Sequence, residues 1–301
     1  MSVQNFLLKK YLKVMYKPRF NGDLKLEQAR KELDSVINTF MPSPCRSLVL
    51  EQQVINGVPC EVIYPEQSKP KGILLYIHGG CFSLGSPLSH RGVTCELAKI
   101  LSLTVVVPDF RLAPEHPYPA AQNDVQSVYE YLLTTVEADN GLYIAGDQSG
   151  AGMAIQLAIT LRDQNKAQPQ AVIGLSGLYD LTLSSNSMFT LKDIDCCNTS
   201  AVFERGIGYY LPESIEASSP EVSPLLADLS SLPPVLLQVS DSEMLLDDSI
   251  RLSESIAEAG GMATLDVWQD VPSCWHIAAV GLPEGRTAIK RIGQFIKAIN
   301  V

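Results

Sequence analysis

The sequence predicts an α/β protein built on a mostly parallel sheet. Eight short runs rich in Val, Ile and Leu alternate along the chain with longer amphipathic stretches. The first runs are joined by short turns and the later ones by segments long enough for a helix. That pattern is typical of an antiparallel start followed by parallel strands with helices on both faces. With 301 residues, 46% of them hydrophobic, the chain can bury a large core, and we expect one domain over residues 1–301.

The elements follow from the spacing of apolar residues. Strands are predicted over residues 47–54, 59–64, 72–77, 104–107, 142–145, 171–175, 235–239 and 264–268. Helices are predicted near residues 24–39, 89–101, 120–135, 150–163, 247–259 and 284–298. Residues 183–222 are rich in Ser, Asn and Asp and break this alternation, so they are expected to form an insertion over the strand ends.

An amphipathic helix is predicted over residues 2–18, where apolar side chains alternate with lysines at helical spacing. Its apolar face has two possible partners. Covering the protein's own core is the commoner arrangement, and docking on a membrane surface is the alternative.

Charge and cysteine content restrict the partners and the compartment. The formal net charge of -10 argues against nucleic acid or an anionic membrane as the main partner. Seven cysteines at irregular spacing, without a zinc or redox pattern, are typical of reduced thiols in a cytoplasmic protein. Lysines interrupt any signal-peptide core near the N-terminus, and no run is long enough to span a membrane. We expect no metal and no cofactor.

The segment Gly146-Asp147-Gln148-Ser149-Gly150-Ala151-Gly152 lies between a predicted strand and a predicted helix. A strand, a tight glycine turn and a helix are the context of a nucleophile elbow, in which a serine sits on a strained turn. Here Gln148 occupies the serine's place.

Three further segments accompany this turn. His78-Gly79-Gly80-Cys81 follows a predicted strand, and glycines there let backbone N–H groups approach a ligand as half of an oxyanion hole. Glu243 lies after the strand predicted at 235–239, and the segment 267–276 leaves the last strand and contains His276.

Taken in this order, the motifs resemble the hormone-sensitive-lipase family of α/β-hydrolases, from about residue 20 to the C-terminus. The resemblance implies an α/β-hydrolase fold, a cap formed by residues 1–45 and 183–222, and hydrolysis of small acyl esters without a cofactor. It also makes a homodimer possible. Position by position, Gly79, Gly80 and the N–H of Ser149 correspond to the oxyanion-hole donors, and Glu243 to the triad acid. The remaining pocket candidates are His78, Cys81 and Asp147.

Two triad positions carry other residues. Gln148 stands where the nucleophile is expected, and Ser273 lies where the general-base histidine is expected, five residues after Trp268. A carboxamide offers no nucleophilic oxygen to a general base, and Ser273 cannot act as an imidazole. The sequence therefore predicts weak or absent ester hydrolysis and a binding protein for an acyl ester or related small molecule.

Two alternatives remain open. An active carboxylesterase could use Ser149 with His276 as a substitute base, or the thiols of Cys81 or Cys274. A non-hydrolytic enzyme could use the oxyanion hole with Glu243 as base.

Overall fold

The protein is described here by a computed structural model that covers residues 2–20, 25–40, 48–65, 71–135, 138 and 140–300. An eight-stranded sheet runs in the order β1-β2-β4-β3-β5-β6-β7-β8. β1 and β4 each pair with β2 antiparallel, and every other neighbouring pair is parallel. The predicted fold class is confirmed. The strands are β1 Leu48–Ile55, β2 Val58–Pro65, β3 Ile73–Ile77, β4 Thr104–Pro108, β5 Leu142–Asp147, β6 Val172–Leu175, β7 Val235–Ser240 and β8 Ala263–Trp268.

Nine α-helices lie within the described residues. They are α1 Val3–Tyr11, α2 Leu26–Phe40, α3 Pro87–Leu101, α4 Ala120–Leu132, α5 Ser149–Asp163, α6 Asn186–Thr190, α7 Ser200–Tyr210, α8 Leu246–Glu258 and α9 Pro283–Ile299. The helix predicted over residues 2–18 is α-helical only to Tyr11 and continues as a π-helix over Leu12–Tyr16.

The sheet separates two hydrophobic layers because side chains alternate along each strand. Leu75 and Ile77 of β3 point into the layer formed with α4, α5 and α8. Leu74 and Tyr76 point into the opposite layer, with α3 and α9. Every residue of β3 to β7 is buried, as expected for parallel strands covered on both faces.

Strand order brings the motif-bearing loops together. β3 lies between β4 and β5. The connection from β3 therefore leads to β4 on one side of it, and the connection from β4 leads back to β5 on the other side. Ligands bind at such a switch point, beyond the carboxyl ends of the parallel strands. The loops after β3, β5, β7 and β8 all lie at this edge.

Two helical segments stand over the same edge. We use "N-terminal segment" for the described part of residues 2–40 and "insertion" for residues 183–222. α1 is anchored to the domain by Asn5, whose Nδ2 donates to Asp270 O at 2.9 Å, and by Ser2, whose backbone N–H donates to Glu284 Oε1 at 2.7 Å. Of the expected cap segment 1–45, residues 1, 21–24 and 41–45 lie outside the described residues.

The described cysteines correct one expectation. Five of them (Cys60, Cys81, Cys196, Cys197 and Cys274) are free thiols. Cys95 is disulfide-bonded, so the expectation that all thiols are reduced is wrong at this position.

No helix within the described ranges has the length and apolar character needed to cross a bilayer. In the same part of the chain, no group of three or more His, Cys, Asp or Glu side chains is arranged to hold a metal ion.

Candidate functional site

The turn between β5 and α5 places Gln148 in a strained conformation, with φ 48° and ψ -118°. Such values cost a non-glycine residue free energy and persist only where surrounding contacts enforce them. Here the backbone N–H of Gln148 donates to Leu175 O at 3.0 Å, and its carbonyl accepts from Leu178 N at 3.0 Å. Gly150 leaves room for the turn, because a Cβ there would lie 2.1 Å from Ile77 O. The turn therefore has the geometry of a nucleophile elbow.

The side chain of Gln148 turns towards the loop after β3. Its Oε1 accepts hydrogen bonds from the backbone N–H groups of Gly80 and Cys81, each at 3.0 Å. Its Nε2 donates to Asn198 Oδ1 in the insertion at 3.3 Å. Two converging N–H donors require an oxygen, so this orientation of the carboxamide is chemically determined. The oxygen of Gln148 thus occupies the position between the paired donors.

Of the two glycines expected as oxyanion-hole donors, Gly80 hydrogen-bonds Gln148 and Gly79 does not. Gly79 was expected to face the ligand, but its N–H donates to Asp147 Oδ1 at 3.0 Å. Gly80 and Cys81 are the pair that converges on Gln148. Ser149 is buried and its Oγ accepts from Phe82 N at 3.3 Å, beneath the loop and outside the cavity lining.

Asp147 fixes the loop after β3. Besides Gly79, its Oδ1 accepts from Tyr76 Oη at 2.8 Å and lies 3.4 Å from His90 Nε2. Burial alone would raise the pKa of Asp147, but His90 and the hydrogen bonds outweigh it and lower the pKa. Burial likewise disfavours the His90 imidazolium, yet the Asp147 carboxylate raises the pKa of His90. This buried ion pair supports the loop from below.

His78 is a packing residue in this arrangement. Its ring stacks on Phe110 at 4.2 Å, and its Nδ1 lies 2.9 Å from Gly79 O. Burial lowers the pKa of His78 to about 3, so the ring is neutral. It does not line the cavity.

Glu243 is fully buried after β7. Its Oε2 accepts from Ser176 Oγ at 2.9 Å, while Oε1 has no hydrogen-bond partner among the described residues. Burial, followed by the nearby charge of Asp195, raises the pKa of Glu243 well above its usual range. Ser273 lines the cavity, with its Oγ 3.9 Å from Cys274 Sγ. Burial thus disfavours the charged form of Glu243, although the hydrogen bond from Ser176 partly offsets this effect.

His276 points away from these groups. It is fully buried, its Nε2 lies 3.0 Å from Gln238 Oε1 on β7, and its ring packs 3.9 Å from Trp275. Burial lowers the pKa of His276 to about 3. The structure brings it near neither Ser149 nor Glu243 by any hydrogen bond between described residues, and it does not line the cavity.

The thiols near the site are held in their neutral form. Burial raises the pKa of Cys81 to about 12. Burial, then the charges of Asp147 and Glu243, raises the pKa of Cys274 well above its usual range. Because the thiolate is the nucleophile, neither cysteine is activated in this arrangement.

A cavity of about 610 Å³ opens above Gln148. Its floor is Gly80 and Gln148, and its polar rim includes Cys197, Asn198 and Ser273. The N-terminal segment, the insertion and the loop after β8 all contribute walls, which are largely apolar. The apolar lining comprises Leu7, Leu8, Tyr11, Leu12, Tyr16, Leu33, Pro272, Trp275, Ile277, Ala278, Val280 and Leu282.

Sequence reasoning missed three residues of this site. His90 lies on α3, and Asp195 and Asn198 lie in the insertion, where no motif marks them. Asp195 is nearly fully buried, with Oδ2 accepting from Asn198 Nδ2 at 3.2 Å and from Met244 N at 3.1 Å. Nothing in the sequence distinguishes Asp195 as a residue of the site, because its burial is not visible in a single sequence.

Known proteins share this fold and chain length. The profile of the α/β-hydrolase-fold family matches residues 74–277. A crystal structure of an esterase from the bacterial hormone-sensitive-lipase family superposes with a TM-score of 0.91 and 30% sequence identity, over 99% of this chain and 98% of that one. The chain belongs to the hormone-sensitive-lipase family of α/β-hydrolases.

Two curated relatives are similar to the chain over most of their own length. An esterase of Acinetobacter venetianus is 32% identical over 272 residues, which is 90% of this chain and 89% of that protein. An acetyl-hydrolase of Streptomyces hygroscopicus is 35% identical over 224 residues, 74% of this chain and 75% of that protein.

Proposed function

We propose that this hormone-sensitive-lipase family member binds a neutral, largely apolar small molecule and hydrolyses esters poorly or not at all. One observation carries the proposal: Gln148 Oε1 accepts both backbone N–H groups, of Gly80 and Cys81, that would otherwise polarise a substrate carbonyl. The protein's own carboxamide stands in the place of the ester oxygen.

Acyl transfer needs those donors at the moment when the carbonyl oxygen becomes negative. A substrate could reach them only by displacing Gln148, which would also break the hydrogen bond from its Nε2 to Asn198. The displaced group could not replace a serine, because a carboxamide has no nucleophilic oxygen that a base can activate.

The base side of the triad supports the same conclusion. Ser273 occupies the wall where an imidazole would be needed, and Glu243 is buried with a raised pKa. Loss of triad members costs roughly 10⁴- to 10⁶-fold in turnover. The scaffold would retain a pocket without the chemistry.

The cavity indicates the class of ligand. Its volume of about 610 Å³ falls within the range of small-molecule sites. Its walls are mainly leucine and tyrosine, and its polar lining offers amides, a hydroxyl and thiols. The charged groups in the lining are Asp147 and His90, which already pair with each other. A charged ligand would lose its hydration without a free counter-charge, so a neutral ligand with one or two polar groups near Gln148 and Asn198 fits best.

Ester hydrolysis on small acyl esters is the second candidate, favoured by relatives named esterase and acetyl-hydrolase. It would require a displaced nucleophile at Ser149, Cys81 or Cys274. The third possibility, enolate chemistry with Glu243 as base, would require an open oxyanion hole, and Gln148 fills it.

Hydrolysis of p-nitrophenyl acetate and butyrate tests the proposal, with wild type compared with Gln148→Ser and with the double variant Gln148→Ser, Ser273→His. We expect turnover only in the double variant, which regains nucleophile and base. Rapid turnover by wild type would overturn the proposal. An organophosphate label would then locate the nucleophile by mass spectrometry.

Binding is measured separately with N-phenyl-1-naphthylamine, a neutral apolar fluorophore, using energy transfer from Trp275 in the cavity wall. Saturable binding is expected in wild type and weaker binding in Ala278→Phe, which places a ring in the cavity. Equal binding by both would show that the fluorophore sits elsewhere.

A further inference from the structure

The helix that walls the cavity has an apolar outer side as well as an apolar inner one. Val3, Phe6, Leu7 and Val14 are exposed by 71%, 58%, 58% and 61%. Residues 3, 6, 7 and 10 share one helical face, because three- and four-residue steps bring side chains to the same side. We call Val3, Phe6, Leu7, Lys10 and Val14 the outer face. A helix side that meets only water is normally polar, so this one is unusual.

The concentration of exposed apolar residues here is not shared by the rest of the surface. Among the described residues, thirteen large hydrophobic side chains are exposed, and five of them lie between Val3 and Met15. Clustered exposure of this kind indicates an interaction surface, whereas single exposed side chains do not.

The same segment is basic in an acidic protein. Residues 1–22 contain four lysines and Arg19 and no Asp or Glu, although the whole chain carries a net charge of -10. Lys9 forms an ion pair with Asp270. Lys10, Lys13 and Arg19 are exposed, and none of them takes part in an ion pair between described residues. Their charges therefore face solvent beside the outer face.

The outer face is continuous with the cavity. Leu7 is exposed and also lines the cavity, and Leu8, Tyr11 and Leu12 on the inner side of the helix line it too. Lys17 extends the surface into the insertion, because its Nζ donates to Lys192 O at 2.9 Å and to Asp195 O at 2.6 Å. Next to these residues, Ile194 is 52% exposed.

We propose that the outer face docks on the surface of an anionic phospholipid bilayer, with the cavity directed at the lipid. Apolar side chains flanked by lysines fit the headgroup boundary, where the former enter the acyl region and the latter meet lipid phosphates. The proposal does not depend on whether the cavity holds a ligand or a substrate.

Charge favours a membrane over a second copy of this chain. In a two-fold dimer the same patch meets itself, which would bring Lys10 and Lys13 towards their own copies. The overall charge of -10 opposes binding in random orientations. It does not oppose binding through the one basic face, and it orients the protein so that its acidic remainder lies away from the bilayer.

The test is co-sedimentation of the full chain with phosphatidylcholine vesicles, with and without phosphatidylglycerol. Binding is expected only with phosphatidylglycerol and is expected to weaken as salt is added. Lys10→Gln should weaken it about fivefold, the share of one basic residue near an anionic surface. Phe6→Glu should weaken it at least as much. The matched control is Val54→Glu on β1, a site 73% exposed and away from the segment, which should leave binding unchanged.

Three results would overturn the proposal: no binding to either vesicle, equal binding to both, or equal loss in Val54→Glu and Phe6→Glu. Light scattering on the same variants measures whether the chain forms a dimer. A dimer that Phe6→Glu abolishes would show that the outer face binds a second copy of the chain. Naphthylamine binding in the same variants separates this test from that of the proposed function, because Phe6 does not line the cavity.

Discussion

The carboxamide oxygen of Gln148 lies 3.0 Å from the backbone nitrogen of Cys81, although 67 residues separate them in the chain. The bond joins the elbow after β5 to the loop after β3. The strained turn after β5 is thus occupied here by a side chain that hydrogen-bonds the loop after β3.

Two substitutions of Gln148 measure the strain of its backbone separately from the hydrogen bonds of its side chain. Gln148→Gly and Gln148→Ala both remove the carboxamide, but only glycine tolerates φ 48° and ψ -118° without penalty. We expect the glycine variant to have the higher free energy of unfolding, by about 1–3 kcal/mol. At ordinary backbone angles the order is reversed, because glycine there stabilises a folded chain less than alanine does. Urea unfolding measures the difference. If alanine were the more stable, the turn would have relaxed and the strain would not be real.

Asp147→Asn removes the negative charge beneath the loop after β3 and preserves the shape of the side chain. The amide cannot accept from Tyr76, Gly79 and His90 as the carboxylate does, and it leaves His90 without its counter-charge. Breaking a buried pair costs about 3–5 kcal/mol, and we expect a loss of that order in urea unfolding.

Asp124→Asn provides the comparison, since Arg111 in that pair has a half-exposed side chain. A loss nearer to 1 kcal/mol is expected there. Similar losses for both variants would mean that Asp147 is not specifically supporting the loop.

His276 makes stability dependent on pH in the acid range. Its pKa is lowered to about 3 by burial, so the unfolded chain, with a pKa near 6.5, takes up the proton first. Stability is then lost as pH falls from about 6.5 towards 3, at about 1.4 kcal/mol per pH unit for one group. His276→Gln should flatten the slope of unfolding free energy against pH by that amount.

Other buried groups also make the unfolding free energy depend on pH in this acid range, some in the same direction as His276 and some in the opposite one. Variant and wild type are therefore compared by the slope of unfolding free energy against pH. His78 acts in the same direction as His276, while Asp248, whose pKa burial raises to about 6, opposes both. The exposed His116 serves as control through His116→Gln. An unchanged slope in His276→Gln would show that the histidine is protonated in the folded protein.

Cys81 should react slowly with thiol reagents in the folded protein. A pKa of about 12, against about 8.5 for a free cysteine, lowers the thiolate fraction at pH 8 by roughly 10³-fold. Iodoacetamide labelling resolved by mass spectrometry, with urea-unfolded protein as reference, measures the ratio. Rapid labelling of Cys81 before the other thiols would restore it as a candidate nucleophile.

Apolar periodicity was sufficient for the strands and for the helices outside the insertion, because β3 to β7 are short buried runs separated by helical segments. The π-helical stretch Leu12–Tyr16 was missed, since one extra residue per turn leaves the apolar pattern almost unchanged. The identity of Gln148 was readable, but the direction of its side chain depends on donors 67 residues away.

The hydrogen bonds of the loop after β3 were not readable from the sequence for a related reason. The N–H of Gly79 donates to Asp147, whereas those of Gly80 and Cys81 donate to Gln148, and these contacts form only when β3 and β5 lie side by side. His90, Asp195 and Asn198 reach the site from a helix and an insertion, and their roles arise only once these segments pack together.

Asp195 connects three parts of the molecule. Its carboxylate accepts from Asn198 and Cys197 in the insertion and from Met244 beside Glu243, and its carbonyl accepts from Lys17. It does not itself line the cavity, whereas Leu12 and Ala278 do. The polar residues that hold the architecture are thus largely distinct from the apolar ones that give the cavity its shape. Substitution of the apolar wall residues should therefore change ligand preference and leave the hydrogen bonds of Asp195 in place.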